Sequence, residues 1–549
     1  MRSRPTLTFA FLLIAMLCTN FLFEAVAQTA SSPSTSAAVF RIAGTVVSKN
    51  DGHPLAGALV SLANTKARQQ AESVVTSADG KFEFGGVPAG KYSLTGAKRG
   101  FIISSYDQHY QFSTAIVTGA DLDTEHLVLK LDPQALISGR VLDEAGEPVR
   151  DATVGFYRDN QFDGTHQIQT LRGSRTNDLG EFEIPDVVPG TYFISATAHP
   201  WYAVHPRSDA GRTPDNFDRS LDVAYPIIYY PDATDPDSAT PIAVHGGERM
   251  ELEFHLNPVP ALRVTIHVPD TDNHQFAFPQ FEQPSIDGAA PLQGTDIRMI
   301  RPGSWEISGI PAGKYDVRLT GNNFAARINN VALDSRTQEL DASAAEPMCS
   351  LTVSISFDDG KPSGQFGVVL RGQNLHFIRG RNFDSKGQAK FEDLVSGKYE
   401  VSLIGEGTRF TVGHMLADGA SVMGHSITLT AGSSASLSIS AIRGTAEIQG
   451  VAKRAGKPFA GAMVVLVPRN PEGNRDLFRR DQSDLDGTFA FHNVVPGSYS
   501  AVAIEDGWDF DWSQPERIST YTKRGVAIEV TNRPGQNLDL GAPVEVQQK

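Results

Sequence analysis

His245-Gly246-Gly247-Glu248 sets a histidine and a carboxylate three positions apart, the H-x-x-E spacing of a zinc ligand pair, with His376 downstream as a candidate third ligand. A catalytic zinc needs three converging ligands, an open fourth position and a carboxylate to work on the bound water. The sequence argues against that assembly. His245 stands in a Gly-rich turn, His376 belongs to a different repeat of the chain, and H-x-x-E arises readily by chance. Two acidic groups, Asp232, Asp235 and Asp237, and Asp481, Asp484 and Asp486, lack EF-hand spacing and read as solvated turns. No serine-hydrolase elbow, P-loop or zinc-ribbon spacing occurs. No catalytic residue, metal ligand or cofactor site is expected, and the chain is not expected to be an enzyme. Cys349 is the one cysteine beyond Cys18, so it is expected to be a small buried hydrophobe rather than half of a disulfide.

Aromatic residues carry the remaining candidate chemistry. Trp201, Tyr202, Tyr225, Tyr229 and Tyr230 crowd one stretch, and Trp508, Phe510 and Trp512 interleave with Asp506, Asp509 and Asp511 in another. Flat rings supply contact area at low entropy cost, and neighbouring carboxylates suit sugar hydroxyls. Shallow ligand surfaces are therefore expected around Trp201, Tyr202, Tyr229 and Tyr230, and around Trp508 and Trp512. The competing expectation is that such rings cap the ends of domains.

What positions these rings is a repeat. A Gly and a Tyr recur twelve residues apart at Gly80 and Tyr92, Gly180 and Tyr192, Gly303 and Tyr315, Gly387 and Tyr399, and Gly487 and Tyr499. After each Gly the apolar residues alternate, as in Phe82 and Phe84, Phe182 and Ile184, or Phe489 and Phe491, which predicts a strand with one face in a core. A turn such as Pro88-Ala89-Gly90 or Pro189-Gly190 follows, and the Tyr opens the next strand. Its position resembles the tyrosine corner of immunoglobulin-like sandwiches. Nine residues after the Tyr stand Phe101, Trp201, Phe324 and Trp508, with Thr408 in the fourth copy.

Each copy also opens and closes on strands. Phe40 to Val47, Ile137 to Val141 and Ile448 to Val451 open three of them, while Leu127 to Leu131, Leu252 to Leu256 and Leu437 to Ile439 close others. Val526 to Ile528 falls near the end of the fifth. About seven short strands per copy, separated by turn residues, predict an all-β tandem array of about five antiparallel Greek-key β-sandwiches with little helix. Gly at 50 and Pro at 32 suit such turn-rich units. The expected divisions are a signal peptide at 1–27, a flexible leader at 28–38, and sandwiches at 39–132, 133–258 (with the aromatic insertion), 259–346, 347–444 and 445–549.

Arg2 and Arg4, the apolar run from Leu7 to Cys18, and Ala25-Val26-Ala27 form the pattern of a cleaved secretory signal. That run is short for the ~20 residues of a span, and no second one follows, so no membrane span is expected in the mature chain. A formal charge of −15 without a long basic run excludes nucleic acid as an expected partner. Export to the periplasm, cell surface or exterior follows.

Gly44-Thr45-Val46, Pro54 to Ala58, Gly80 to Phe84 and Val87 to Tyr92, with their counterparts, resemble the carboxypeptidase regulatory-like domain. The first, second and fifth copies carry the full pattern, and the third and fourth its rear half. The resemblance implies a transthyretin-like or Greek-key sandwich, related to collagen-adhesin B-type repeats and grouped with carbohydrate-binding-like folds. It implies a non-catalytic accessory module of secreted or envelope proteins. The expected partner is a carbohydrate, or alternatively an envelope protein docked on a stalk. A zinc metallocarboxypeptidase is the weakest reading, because the helices of a peptidase domain are missing from the pattern.

Overall fold

The five turn glycines of the repeat all take left-handed backbone, with φ of 74° at Gly80, 69° at Gly180, 76° at Gly303, 74° at Gly387 and 76° at Gly487. A side chain is strained in that region. At Gly180 and Gly487 a Cβ would also lie 2.6 Å from a carbonyl oxygen of the opening strand, so these turns need glycine twice over. The computed structural model describes residues 38–549 apart from 67–70, 120, 162–163, 207–216, 269–276, 322–323, 358–364, 373–377, 406–409, 473, 532 and 534. The signal segment, His376, Thr408 and the side chain of Phe324 lie outside the described residues.

Five hydrophobic cores succeed one another along the chain; two main sheets close each of the first four, and one continuous nine-stranded sheet closes the fifth. In the first, Val39–Ser48 lies between Lys81–Pro88, antiparallel, and Leu127–Leu131, parallel. The facing sheet is built on Leu59–Asn64 and Gly90–Ala97. The second, third and fourth units repeat the plan, with Arg249–His255, Thr337–Asp341 and Ser434–Arg443 as parallel closing strands. These sandwiches are thus antiparallel except where the closing strand meets the opening one. The approach is tight. A Cβ on Gly44 would sit 2.1 Å from the Leu127 carbonyl oxygen, and one on Gly139 2.0 Å from that of Leu252.

The alternating residues behave as their period dictates. Phe82, Phe84 and Val87 are buried while Lys81 and Glu83 face water. The strand Ser304–Ile310 of the third unit is buried on both faces. There the second unit lies over it: the Arg263 guanidinium donates to the Pro206 carbonyl, and His205 Nε2 sits 2.6 Å from where a Gly309 Cβ would be. The Tyr that opens the next strand donates its hydroxyl to the carbonyl four residues back in every unit. Tyr92 reaches Pro88 at 3.0 Å, Tyr315 reaches Pro311 at 2.7 Å, Tyr399 reaches Val395 at 2.6 Å and Tyr499 reaches Val495 at 3.0 Å, with Tyr192 on Val188 likewise. Each hydroxyl pins its own strand entry and leaves no buried donor unpaired. Cys349 is buried and reduced, its thiol 3.0 Å from the Thr430 carbonyl.

One expectation needs correction. Val526–Val530 does not close the fifth unit; it pairs with Gly497–Ile504 in the facing sheet. The strands parallel to Ala446–Arg454 are Asn537–Asp539 and Val544–Gln547. Among the described residues the one α-helix is Pro515–Thr522, in the long insertion of this unit, and no helix is long and apolar enough to cross a membrane.

Candidate binding surfaces and the joint between the first and fifth units

Trp201 follows the strand Gly190–Thr197 and is 88% exposed. Its ring meets Tyr202 edge-on, with centroids 5.8 Å apart and planes at 86°. The Tyr202 hydroxyl donates to one oxygen of Glu144, and Tyr225 donates to the other at 2.9 Å. Burial, and then the bond to this carboxylate, push the Tyr202 phenol up to about 12. A flat, solvated indole thus lies beside a carboxylate and a phenol. Tyr229 and Tyr230 do not join it. Tyr229 is fully buried, and Tyr230 packs edge-on against Phe254 at 5.9 Å, within the second core. Their aromatic area serves packing, which corrects the expectation of an open surface there.

Trp508 and Trp512 are 7% and 8% exposed, so the expected surface around them is closed as well. Trp512 is covered by Phe478 and by Gly164 of the second unit, and Trp508 by the first unit. His109 stacks on Trp508 with centroids 4.7 Å apart and planes 6° from parallel, and Phe112 packs on the same indole at 5.8 Å. The Arg480 guanidinium is held among four rings, 4.8 Å from Trp512, 5.0 Å from Phe112, and 5.6 Å from both Tyr110 and Trp508. Cations sit well over such faces when water is thinned out. Beneath the indoles, Met463, Val465, Val502 and Ile504 form a second apolar layer on the outer face of the fifth sandwich. The strand Met463–Pro468 is therefore buried on both faces. Its unbroken apolar run, Met463-Val464-Val465-Leu466-Val467, was the available signal, because a strand with one wet face alternates.

Polar groups fix the register of this joint. The Gln482 amide donates to the Asp107 carbonyl at 2.6 Å and to Thr114 Oγ1 at 2.8 Å. Ala115 N donates to Asp484 Oδ1 at 3.0 Å, and Leu485 N to the Ala115 carbonyl at 3.1 Å. Lys91 Nζ donates to Asp484 Oδ2 and to Thr488 Oγ1, each at 2.5 Å. The fifth unit touches two more. Ser513 Oγ donates to the Gly164 carbonyl at 3.1 Å and Gln161 to Asp511 at 3.1 Å, both in the second unit. Asp476 meets His425 at 2.8 Å and Thr411 in the fourth. The chain thus closes on itself.

Beside the polar seam lies a cleft of about 920 Å³, walled on one side by Lys91, Ser93 and Ser113 and on the other by Gln449, Asp481 and Leu540. Asp481 accepts from Ala490 N at 2.7 Å, and burial pushes its carboxyl up to about 6. Burial also raises Asp484, against the pull of Lys91. These two carboxylates are built into the joint, contrary to the solvated turn expected of them, whereas Asp235 does cap an exposed turn through Asp237 N. His245 meets Glu248 at 3.2 Å in an exposed turn, and the described residues contain no group of three metal-ligating side chains.

Comparison with known proteins follows the same lines. No curated protein matches the chain. Among solved structures, the Bacillus anthracis TIE protein is 12% identical over 75% of each chain, with a TM-score of 0.18. A streptococcal ancillary pilin is 10% identical over 55% of this chain and 98% of its own, at 0.20. GBS52, the minor pilin of Streptococcus agalactiae, is 15% identical over 40% and 97%, at 0.19. The family model for the carboxypeptidase regulatory-like domain matches residues 41–116 and 136–211, where the turn glycines, strand phenylalanines and corner tyrosines of the first two sandwiches stand.

Proposed function

We propose that the chain is an exported, non-catalytic binding protein of the cell envelope that takes carbohydrate on the Trp201 face of its second unit. The observation that carries this reading is Trp201 itself. An indole 88% exposed gains little from packing, and Tyr202 and Glu144 beside it offer a second ring and an acceptor for hydroxyls. A ring stacked on a sugar contributes about 0.5–1.5 kcal/mol beyond its buried area, so a single site of this kind binds weakly. The residues that define the repeat are turn and core positions with structural roles, which favours binding over catalysis. The contacts of the fifth unit with the first and second speak against a straight stalk.

The test uses intrinsic fluorescence. Trp305, Trp508 and Trp512 are all under a tenth exposed, so Trp201 is the one indole free to respond. Titration with envelope and plant-type polysaccharides is expected to shift its emission and shield it from iodide, and Trp201→Ala to abolish the response. An emission unchanged by every glycan tried, in a protein whose Trp201 iodide still quenches, would overturn the carbohydrate reading.

A further inference from the structure

We infer that the cleft between the first and fifth units is a second binding site, for a neutral, hydroxyl-rich ligand of the oligosaccharide class. The inference rests on the carbohydrate reading above but concerns a different place on the molecule.

Size is the first argument. About 920 Å³ lies within the range of sites that enclose a ligand rather than merely touch it. Charge is the second. Lys66, Lys91 and Lys453 reach the cleft from one side of the balance, and Glu447, Asp481, Asp484 and Asp539 from the other. Lys91 is spent on Asp484, and His492 lies 3.3 Å from Glu447. Three cations stand against four carboxylates, one of them partly protonated, so the wall offers little net field to a phosphate or a metal cation and favours a ligand that carries no charge. Hydrogen-bonding type is the third. Thr65, Ser93, Ser113, Gln449 and Thr488 each donate and accept, as hydroxyl groups require of their partners. Asp481, half protonated near pH 6, adds a group that can serve in either role. Leu540 and the open backbone at Gly541 supply a flat apolar strip for a ring face. Both units line the cleft, so an occupant bridges them and favours the closed chain by mass action.

Gly541 also provides the test. Its φ is not left-handed, and a Cβ there meets nothing within 4 Å, so a large side chain enters the cleft without disturbing either core. The mature full chain is titrated calorimetrically with neutral hexasaccharides (cello-, xylo-, manno- and maltohexaose), with oligogalacturonate and inorganic phosphate as charged comparators. Hydrogen exchange is followed in parallel. At least one neutral hexasaccharide is expected to bind and to protect amides at 447–453, 488–492 and 537–543. Gly541→Trp should weaken that binding by about tenfold or more, leaving the melting temperature and the Trp201 response in place. Trp201→Ala should leave the cleft protection intact, and it should do so even if the Trp201 reading itself fails. The inference is overturned if no neutral saccharide protects these amides, if the charged comparators occupy the cleft in their place, or if Gly541→Trp binds as well as wild type.

Discussion

Asp481 shows how one side chain can carry a pH dependence into the joint. Burial raises its carboxyl from the ordinary 3.8 to about 6, with Asp484 nearby raised in the same sense and the Ala490 amide and His492 opposing. The folded state therefore holds a proton that the unfolded chain releases between about pH 4 and 6. That stabilisation is complete below the unfolded value and is lost as pH rises through about 6, an effect on the order of 2–3 kcal/mol for a two-unit shift. Asp481→Asn, which keeps an acceptor for Ala490 N, is expected to flatten the dependence and to be the more stable protein at pH 8. Urea melts at pH 5 and pH 8 check this, and equal slopes for the two proteins would refute it. Arg480 makes the complementary case. Replacing it with Met keeps length but removes the cation from four rings, at an expected cost of about 2 kcal/mol to the joint. Near-ultraviolet circular dichroism of Trp508 and Trp512 is the readout, and an unchanged spectrum with unchanged stability would count against the cage.

At the scale of elements, the rear half of each unit was legible because its residues are fixed by backbone geometry. Turn glycines, alternating phenylalanines and the corner Tyr all stand where the sequence predicts, down to the hydroxyl returning to backbone. A further device in the same stretch escaped notice. Gly86, Asp186, Gly309, Asp393 and Asn493, each six residues after a turn glycine, all have positive φ at a bulge against the opening strand. Gly, Asp and Asn are the types that tolerate this conformation, so the signal was present in composition though not in hydropathy. The front half was harder, since the parallel closing strand pairs across a long crossover that no local pattern announces. Gly44 and Gly139 are its trace. Gly139→Ala is expected to cost its unit several kcal/mol by driving a methyl against the Leu252 carbonyl, against about 1 kcal/mol for Tyr192→Phe, which loses one hydrogen bond. Thermal melts of the two variants decide the order, and a milder effect at Gly139 would mean that the closing strand yields.

For the whole molecule the sequence announced five cores and hid their closure, because the joint is made by residues nearly 400 apart, such as Lys91 and Asp484. Trp508 and Trp512 looked like ligand rings for the same reason: an indole covered by a distant unit is indistinguishable, in one sequence, from an exposed one. Independent sandwiches predict that Phe182→Ala, at about 3–5 kcal/mol, shifts one melting transition alone. The joint predicts something further. Arg480 and Gln482 lie outside the fifth core, so Arg480→Ala with Gln482→Ala should open the joint while that core stays folded. Iodide should then reach Trp508 as well as Trp201, because His109 and Phe112 of the first unit cover the Trp508 ring. Small-angle scattering should record a longer maximum dimension as the fifth unit swings away from the first. Hydrogen exchange at the Ala115 and Leu485 amides should quicken, because their hydrogen bonds cross the joint. If the unmodified chain already lets iodide quench Trp508 and Trp512, the units are strung out in solution, and the cleft between the first and fifth is lost along with the joint.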